Sequence, residues 1–174
     1  MSVQSAIKDR RSIRAYSDTP VEENKLDLVL EAARLAPSAC NRQEWKFIVV
    51  RDRATKEQLS KKADVLADAP VVIAACATEA EDVMSCGQTM GTVDVSIAVS
   101  FMILQAHELG LGTCWLGSFN EAAAKRILGV PAPVRIVAVT PLGYPAQSPA
   151  ARPRKALAEI VSYDRYSCRR EMPT

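Results

Sequence analysis

The sequence is poor in the groups that build metal centres. Its 174 residues include one histidine, His107, and five cysteines that form no C-x-x-C pair. These spacings match no familiar zinc ligand pattern, so we expect no metal site. An odd number of cysteines, and charge as early as Lys8 where a secretory peptide would be apolar, predict reduced thiols in a cytoplasmic protein.

Signatures of several enzyme classes are also missing. The sequence contains no Walker A motif and no G-x-S-x-G motif, and Gly110, Gly112 and Gly117 lack the G-x-G-x-x-G spacing of dinucleotide-binding proteins. His107 lies in an apolar stretch, where a core histidine is commoner than a catalytic base. These absences disfavour kinase, hydrolase and Rossmann-type chemistry. A net charge of +2 is too small to indicate a nucleic-acid partner.

The overall composition is typical of one globular domain over residues 1–174. Hydrophobic residues make up 48% of the chain and charged residues 24%, both close to the average for folded proteins. A chain of this length buries most of the surface that it exposes when unfolded. We find no internal repeat and no low-complexity segment, so a single domain is expected.

Hydrophobic periodicity predicts mixed helices and strands around one sheet. Helices are expected over 22–36, 52–67, 93–109, 120–128 and 153–161, and strands over 45–50, 71–77, 112–117 and 134–142. The continuous apolar run Val71–Ala77 indicates a strand buried on both faces. The sequence therefore predicts an α+β fold, and it leaves the strand order open.

The segment Val93–Leu109 is apolar nearly all round. Such a helix needs cover on every side, either from its own chain or from a second copy of the protein. Asp94, Gln105 and Glu108 make it a poor membrane span, so no membrane association is expected.

Two small basic clusters lie near the two ends of the chain. They comprise Arg10, Arg11 and Arg14 in the run RRSIR, and Arg152, Arg154 and Lys155. The planar fork of arginine can grip a phosphate through two hydrogen bonds, and the Ser12 hydroxyl can donate another. In an extended chain Arg10, Ser12 and Arg14 share one side, which suits an anion cradle. The alternative is an ordinary solvated cluster.

A polar stretch, PSACNRQEW over 37–45, separates a predicted helix from a predicted core strand. Ser38, Asn41 and Gln43 fall within six residues, and all three carry groups that seek hydrogen bonds. A solvated connection is the ordinary explanation for such a loop. A ligand-facing loop is the other.

Four blocks, taken in order, resemble the FMN-dependent nitroreductases and related flavin reductases. They are RRSIR, APSACNRQEWKFIVV, HELGLGTCWLG and VTPLGYPAQSPAARPRKALAEIV, and together they cover most of the chain. The resemblance implies a central mixed or antiparallel sheet flanked by helices, in an intertwined homodimer with FMN at the subunit interface. It also implies that NADH or NADPH delivers electrons through flavin N5 to a small organic acceptor of nitroaromatic, quinone or enone type. The alternative is a protein that stores, senses or delivers FMN with little turnover.

The resemblance also implies roles for single residues. Arg10 and Ser12 would hold the FMN phosphate and ribityl chain, with Arg11 in the same set, and Arg14 would lie near N1 and O2 of the ring. The polar loop would contact the ring, generally from the other subunit, through Pro37, Ser38, Ala39, Asn41 and Gln43. Leu116 and Gly117 would offer backbone contacts, Gly117 to N5. Arg154 and Lys155 would close on the phosphate, with Arg152 as an alternative.

Some features depart from the family pattern. Glu44 stands where proline is expected, and the stretch 78–91 is short and polar, so that Met84, Cys86, Gln88 and Met90 would line any cover over the site. Cys40 lies inside the ring-contacting loop, and we interpret it as a small buried residue rather than a redox thiol. No protein acid or base is assigned.

Overall fold

The computed structural model describes residues 2–60 and 65–166. Its sheet has four strands, β1 Trp45–Val50, β2 Val71–Ala77, β3 Gly112–Thr113 and β4 Arg135–Gly143. Their spatial order is β1-β2-β4-β3, and every neighbouring pair is antiparallel. The prediction of an α+β fold is confirmed, and the sheet is antiparallel rather than mixed.

Seven helices surround this sheet within the described residues. They are α1 Val3–Asp9, α2 Glu23–Arg34, α3 Arg53–Leu59, α4 Val65–Asp68, α5 Met90–Glu108, α6 Glu121–Leu128 and α7 Leu157–Ile160. The Asn120 side chain caps α6 by accepting a hydrogen bond from the Ala123 N–H at 3.0 Å. Gly110 follows α5 with φ at +77°, the left-handed conformation that commonly ends a helix.

Strand β2 forms the centre of the core, and all seven of its residues are buried. Alternate side chains point to opposite faces of the sheet. Ile73 belongs to a cluster with residues of α2 and α5, whereas its neighbour Val72 belongs to a cluster with Leu66 of α4 and Ala124 of α6. Helices therefore cover both faces, which confirms that this strand is doubly buried.

Three helices differ most from the sequence-based prediction, and one of them, α7, begins four residues after its predicted start. The helix predicted over 52–67 is α3 and α4 in its described parts, with residues 61–64 outside them. Helix α5 begins at Met90, three residues before the predicted start. A Cβ on Gly91 would lie 2.7 Å from the Cβ of Ala77, so the first turn of α5 packs tightly on the end of β2 because glycine is there.

Helix α1 was not predicted from the sequence. It spans seven residues, and Ala6 is its one buried residue, so it has too few apolar positions to show a period. Its start is marked by Ser2, whose Oγ accepts a hydrogen bond from the Ser5 N–H at 3.2 Å. Helix α1 leads directly into the basic run.

Helix α5 is covered on only part of its surface. Val95, Ala98 and Met102 are fully buried, whereas Phe101 is 42% exposed. An apolar groove of about 450 Å³ lies between α5 and α1, lined by Val3, Ile7, Ala32, Phe101 and Leu104 among others. Within the described residues α5 is the one helix long and apolar enough to cross a membrane, but its packing is that of a core helix.

Candidate functional site

The basic run is attached to the edge of the sheet. The Ile13 N–H donates to the Thr113 carbonyl at 2.9 Å, and Ser12 bridges Thr113 in parallel fashion. Ile13 is buried, and the buried hydroxyl of Tyr16 donates to its carbonyl at 2.7 Å. The run is therefore extended, with Ile13 turned into the core and Ser12 left on the outer side.

Close packing explains the glycine of β3 that lies beside this run. A Cβ on Gly112 would lie 2.6 Å from Cγ1 and 2.7 Å from Cβ of Ile13, which is nearer than real carbon atoms approach. Burial raises the pKa of Tyr16 far above its usual value, so its hydroxyl stays a neutral donor. The sheet edge and the basic run are thus packed as one unit.

The chain after β4 returns beside the same run. The Ala146 N–H donates to the Ala15 carbonyl at 2.9 Å. With its amide oxygen turned towards the backbone, Gln147 accepts from the N–H of Arg14 at 2.7 Å and from that of Ala15 at 3.2 Å. These bonds bring the two basic clusters together from opposite ends of the sequence.

The two clusters meet at a cationic cleft of about 500 Å³. Its lining contains no carboxylate among the described residues and includes Arg10, Arg11, Ser12, Arg14, Arg152 and Arg154. Arg11 is partly committed elsewhere, since its Nη1 donates to the carbonyls of Lys8 and Arg10 at 2.9 and 3.0 Å, where α1 ends. Lys155 does not line the cleft, whereas Arg152 does. The cleft fits a doubly charged phosphate.

A second cavity of about 530 Å³ continues the cleft. It shares Arg10, Ser12 and Arg154 with the cationic end and extends to Thr113, Trp115 and the α5 side chains Ser100, Ile103 and Leu104. The cleft and this cavity together form one trough. Its cleft end is cationic, and its other end is largely apolar. A ligand with a phosphate at one end and an aromatic ring at the other matches that gradient.

The polar loop contains three residues in a left-handed backbone conformation. The φ angles of Cys40, Asn41 and Gln43 are 51°, 55° and 56°. This conformation costs roughly 1–2 kcal/mol for a residue with a Cβ, and asparagine tolerates it best. Cys40 is exposed in the single chain, so its interpretation as a buried residue is wrong. The bent backbone keeps it out of the core.

Two side chains hold this loop from within. The Asp94 carboxylate of α5 accepts from the Ala39 N–H, with its two oxygens 3.1 and 3.2 Å from the nitrogen. The Ser38 hydroxyl accepts from the Gln43 N–H at 3.1 Å. Gln43 also donates from its side chain to the Asn41 carbonyl at 3.1 Å.

The unexpected Glu44 takes part in an ion-pair cluster. Arg42 Nη2 lies 2.6 Å from a carboxylate oxygen of Glu44 and 2.6 Å from one of Asp82. These hydrogen bonds raise the pKa of Arg42. The cluster ties the polar loop to the turn at 83–89, where the Met84 N–H donates to the Gln88 carbonyl at 2.9 Å.

Within one chain the polar loop does not line either part of the trough. Pro37, Ser38, Ala39, Asn41 and Gln43 lie apart from the arginine side chains that line it. The N–H and C=O of Leu116 are both bonded to Val139 at 3.0 Å, whereas Gly117 is exposed. The cover residues Cys86 and Gln88 are exposed as well.

Sequence reasoning did not assign two residues to the site. Gln147 supports the backbone of the basic run, and its sequence neighbourhood is proline-containing connection without a periodic signal. Asp94 supports the polar loop, and its signal was a lone acid in an apolar helix, which served only as evidence against a membrane span.

Known proteins resemble this chain in sequence and in fold. The model of the nitroreductase family matches residues 7–63 and 60–144. An FMN reductase [NAD(P)H] of Bacillus subtilis is 31% identical over 172 residues, which cover 87% of this chain and 69% of that protein. The crystal structure of a nitroreductase family protein from Clostridium difficile 630 superposes with a TM-score of 0.87 at 33% identity, covering 95% of this chain and 100% of the other.

A second solved structure carries the cofactor in its name. It is an FMN-dependent nitroreductase of Clostridium difficile R20291, with a TM-score of 0.82 and 32% identity over 94% of this chain and 99% of the other. Family, fold and extent of similarity all agree. The chain belongs to the nitroreductase family.

Proposed function

We propose that this protein reduces a small organic acceptor of nitroaromatic, quinone or enone type, with FMN as its cofactor and NADH or NADPH as electron donor. As a nitroreductase family member with relatives named FMN reductase and FMN-dependent nitroreductase, it is an NAD(P)H-dependent flavin oxidoreductase. The open cavity beside the cationic cleft supports a small organic acceptor of this class.

The observation that carries the proposal is the cationic cleft at the sheet edge. Arg10, Ser12 and Arg154 border both the cleft and the adjoining cavity, so they are placed to hold a phosphate and the chain that follows it. Arg152 borders the cationic end and supports the same role. Arg14 lines the cationic cleft and not the adjoining cavity, so the charge that we propose it supplies to the ring acts from the cleft side.

FMN, when bound, supplies the hydride and electron chemistry. The protein residues contribute orientation and fixed charge. The Arg14 guanidinium offers a fixed positive charge, and Gln147 holds the backbone that carries it. A preorganised positive charge beside the N1 and O2 atoms of the ring favours negative charge there. No side chain is assigned as an acid or a base.

The site as proposed is completed by a second copy of the chain. The polar loop and the trough are separate within one chain, and the apolar groove between α1 and α5 leaves Val3, Ile7 and Phe101 exposed. A second copy seated on this groove would cover the exposed side of α5 and bring its polar loop to the ring. Light scattering of the purified protein tests this: a monomer that binds FMN tightly would contradict it.

The function is tested by absorption spectroscopy of the purified protein under anaerobic conditions, before and after addition of NADH or NADPH. We expect flavin bands that bleach on addition of either donor, followed by recovery when an acceptor is added. Flavin bands that persist would favour the alternative of FMN storage, sensing or delivery. A protein that binds no added FMN would overturn the proposal.

A further inference from the structure

Asp94 is a buried carboxylate in a helix that is otherwise apolar. It is 5% exposed, and its neighbours Val95 and Ala98 are fully buried. Among the described residues, its hydrogen-bond donor is the Ala39 N–H, which both oxygens share at 3.1 and 3.2 Å. This hydrogen bond therefore connects the core helix α5 to Ala39, the first residue of a short 3-10 turn in the polar loop.

One backbone donor compensates little of what burial costs a carboxylate. An ionised carboxylate has about four acceptor positions, and a buried charge is stabilising only when most of them are used. An apolar residue would serve the stability of this helix at least as well. Stability alone therefore does not explain the acid.

The loop that Asp94 holds has a backbone conformation that costs free energy. Three of its residues, Cys40, Asn41 and Gln43, have left-handed backbone conformations. Such conformations persist only where the surrounding structure imposes them. Ser38 fixes the far end of the bend by accepting from the Gln43 N–H. Asp94 fixes the near end at Ala39, so the bend lies between two side-chain acceptors.

We propose that Asp94 is a positioning residue for the FMN ring. It fixes Ala39 and so gives the polar loop its ligand-binding shape before FMN arrives, which removes an ordering cost from binding. This inference rests on the proposed function, because it assumes that the loop contacts the flavin. Since the loop reaches the ring from the other copy, Asp94 of one copy serves the FMN held by its partner.

The test compares Asp94→Ala and Asp94→Asn with Asp27→Asn, which removes an exposed carboxylate from α2. Apoprotein is titrated with FMN, and binding is followed by flavin fluorescence. We expect Asp94→Ala to weaken binding roughly 10- to 100-fold, the factor that corresponds to a hydrogen bond with a charged acceptor. Asp94→Asn keeps one oxygen acceptor and should be intermediate, whereas Asp27→Asn should match the wild type.

A second readout does not involve FMN. Amide hydrogen exchange in the apoprotein reports on the Ala39 N–H, which we expect to be protected in the wild type and to exchange faster in Asp94→Ala. The unfolding temperature of the apoprotein should stay close to that of the wild type, because the bond to Ala39 orders a loop rather than the sheet. Should Asp94→Ala not fold, Asp94→Asn carries both measurements.

The outcomes separate this inference from the proposed function. Wild-type protein that binds no FMN overturns both, although the exchange result would still report whether Asp94 orders the loop. Wild-type protein that binds and reduces FMN, with Asp94 variants that do the same at equal affinity, overturns the positioning role alone. A large loss of apoprotein stability in Asp94→Asn would also overturn it, because Asp94 would then be a residue of the fold.

Discussion

The basic run and the polar loop serve the same proposed site but differ in backbone conformation and in how they are attached to the fold. The basic run has ordinary extended backbone, and main-chain hydrogen bonds from Ile13 to Thr113 and from Ala146 to Ala15 bind it to its neighbours, with one side chain, Gln147, in support. The polar loop has left-handed backbone, and two side chains, Asp94 and Ser38, hold it. The basic run therefore continues the hydrogen bonding of the sheet edge, whereas the polar loop depends on side-chain acceptors.

This difference predicts that substitutions in the two segments affect protein stability and FMN affinity differently. A change that disturbs the basic run also disturbs buried residues such as Ile13, so it should lower stability and FMN affinity together. A change at Ser38, the support of the polar loop that lies outside the core, should lower affinity while stability stays nearly constant. Four substitutions test this contrast.

The largest effect is expected from Gly112→Ala, which would force a carbon against Ile13 at 2.6 Å. Overpacking of this kind costs about 1–3 kcal/mol, so thermal unfolding of the apoprotein should shift down and FMN binding should weaken with it. Gly117→Ala is the control for stability alone, because its new carbon would meet Trp115 Nε1 at an ordinary 3.5 Å. Equal stability of the two variants would contradict the tight packing of the basic run on the sheet.

The next effect concerns Arg154 and Lys155, adjacent cations of which only Arg154 lines the trough. Arg154→Ala should weaken FMN binding roughly 10- to 100-fold, since it removes a charged donor to the phosphate. Lys155→Ala should change the affinity less than about threefold, as expected for an exposed charge. Fluorescence titration measures both, and a larger loss in Lys155→Ala would show that the cleft is not the phosphate site.

A smaller effect is expected from Ser38→Ala, which removes the acceptor for the Gln43 N–H. The loss of one neutral hydrogen bond should reduce FMN affinity about fivefold and leave the unfolding temperature of the apoprotein unchanged. Ser60→Ala, which removes a local bond to the Glu57 carbonyl in α3, is the matched control. A drop in stability without a change in affinity would reverse the assignment of this loop to binding.

The smallest effect is expected from Asp82→Asn, which weakens one arm of the exposed ion-pair cluster around Arg42. Exposed pairs contribute little and are screened by salt, so FMN affinity should change less than about twofold. Titrations at low and at high salt measure this. A tenfold loss at either salt concentration would mean that the turn at 83–89 determines the shape of the polar loop.

The sequence predicted the strongly patterned parts of the fold. Strands β1 and β2 begin and end at the predicted residues because Trp45–Val50 and Val71–Ala77 are uninterrupted runs of strand formers. Helix α6 also lies within one residue of its predicted bounds, since Asn120 caps its start. The cluster RRSIR was a candidate anion cradle from its residue types alone, and it lines a cationic cleft.

The remaining parts depend on tertiary structure. Nothing local in the sequence shows that Gln147 would meet Arg14, because the chain must first build β4 and turn back. Cys40 and Gln43 have no intrinsic preference for left-handed backbone, so their conformation follows from the surroundings rather than from propensity. The partner of Asp94 is 55 residues away in sequence, so the pair could not be read from spacing.

The bent shape of Cys40, Asn41 and Gln43 also has a kinetic consequence. A loop that is already folded does not have to search for its bound form after the ligand touches it. Association of FMN with the apoprotein should then be a single exponential whose rate rises in proportion to FMN concentration, without a plateau. A loop released from Ala39 would instead add a slow second phase, visible by stopped flow as a rate that levels off.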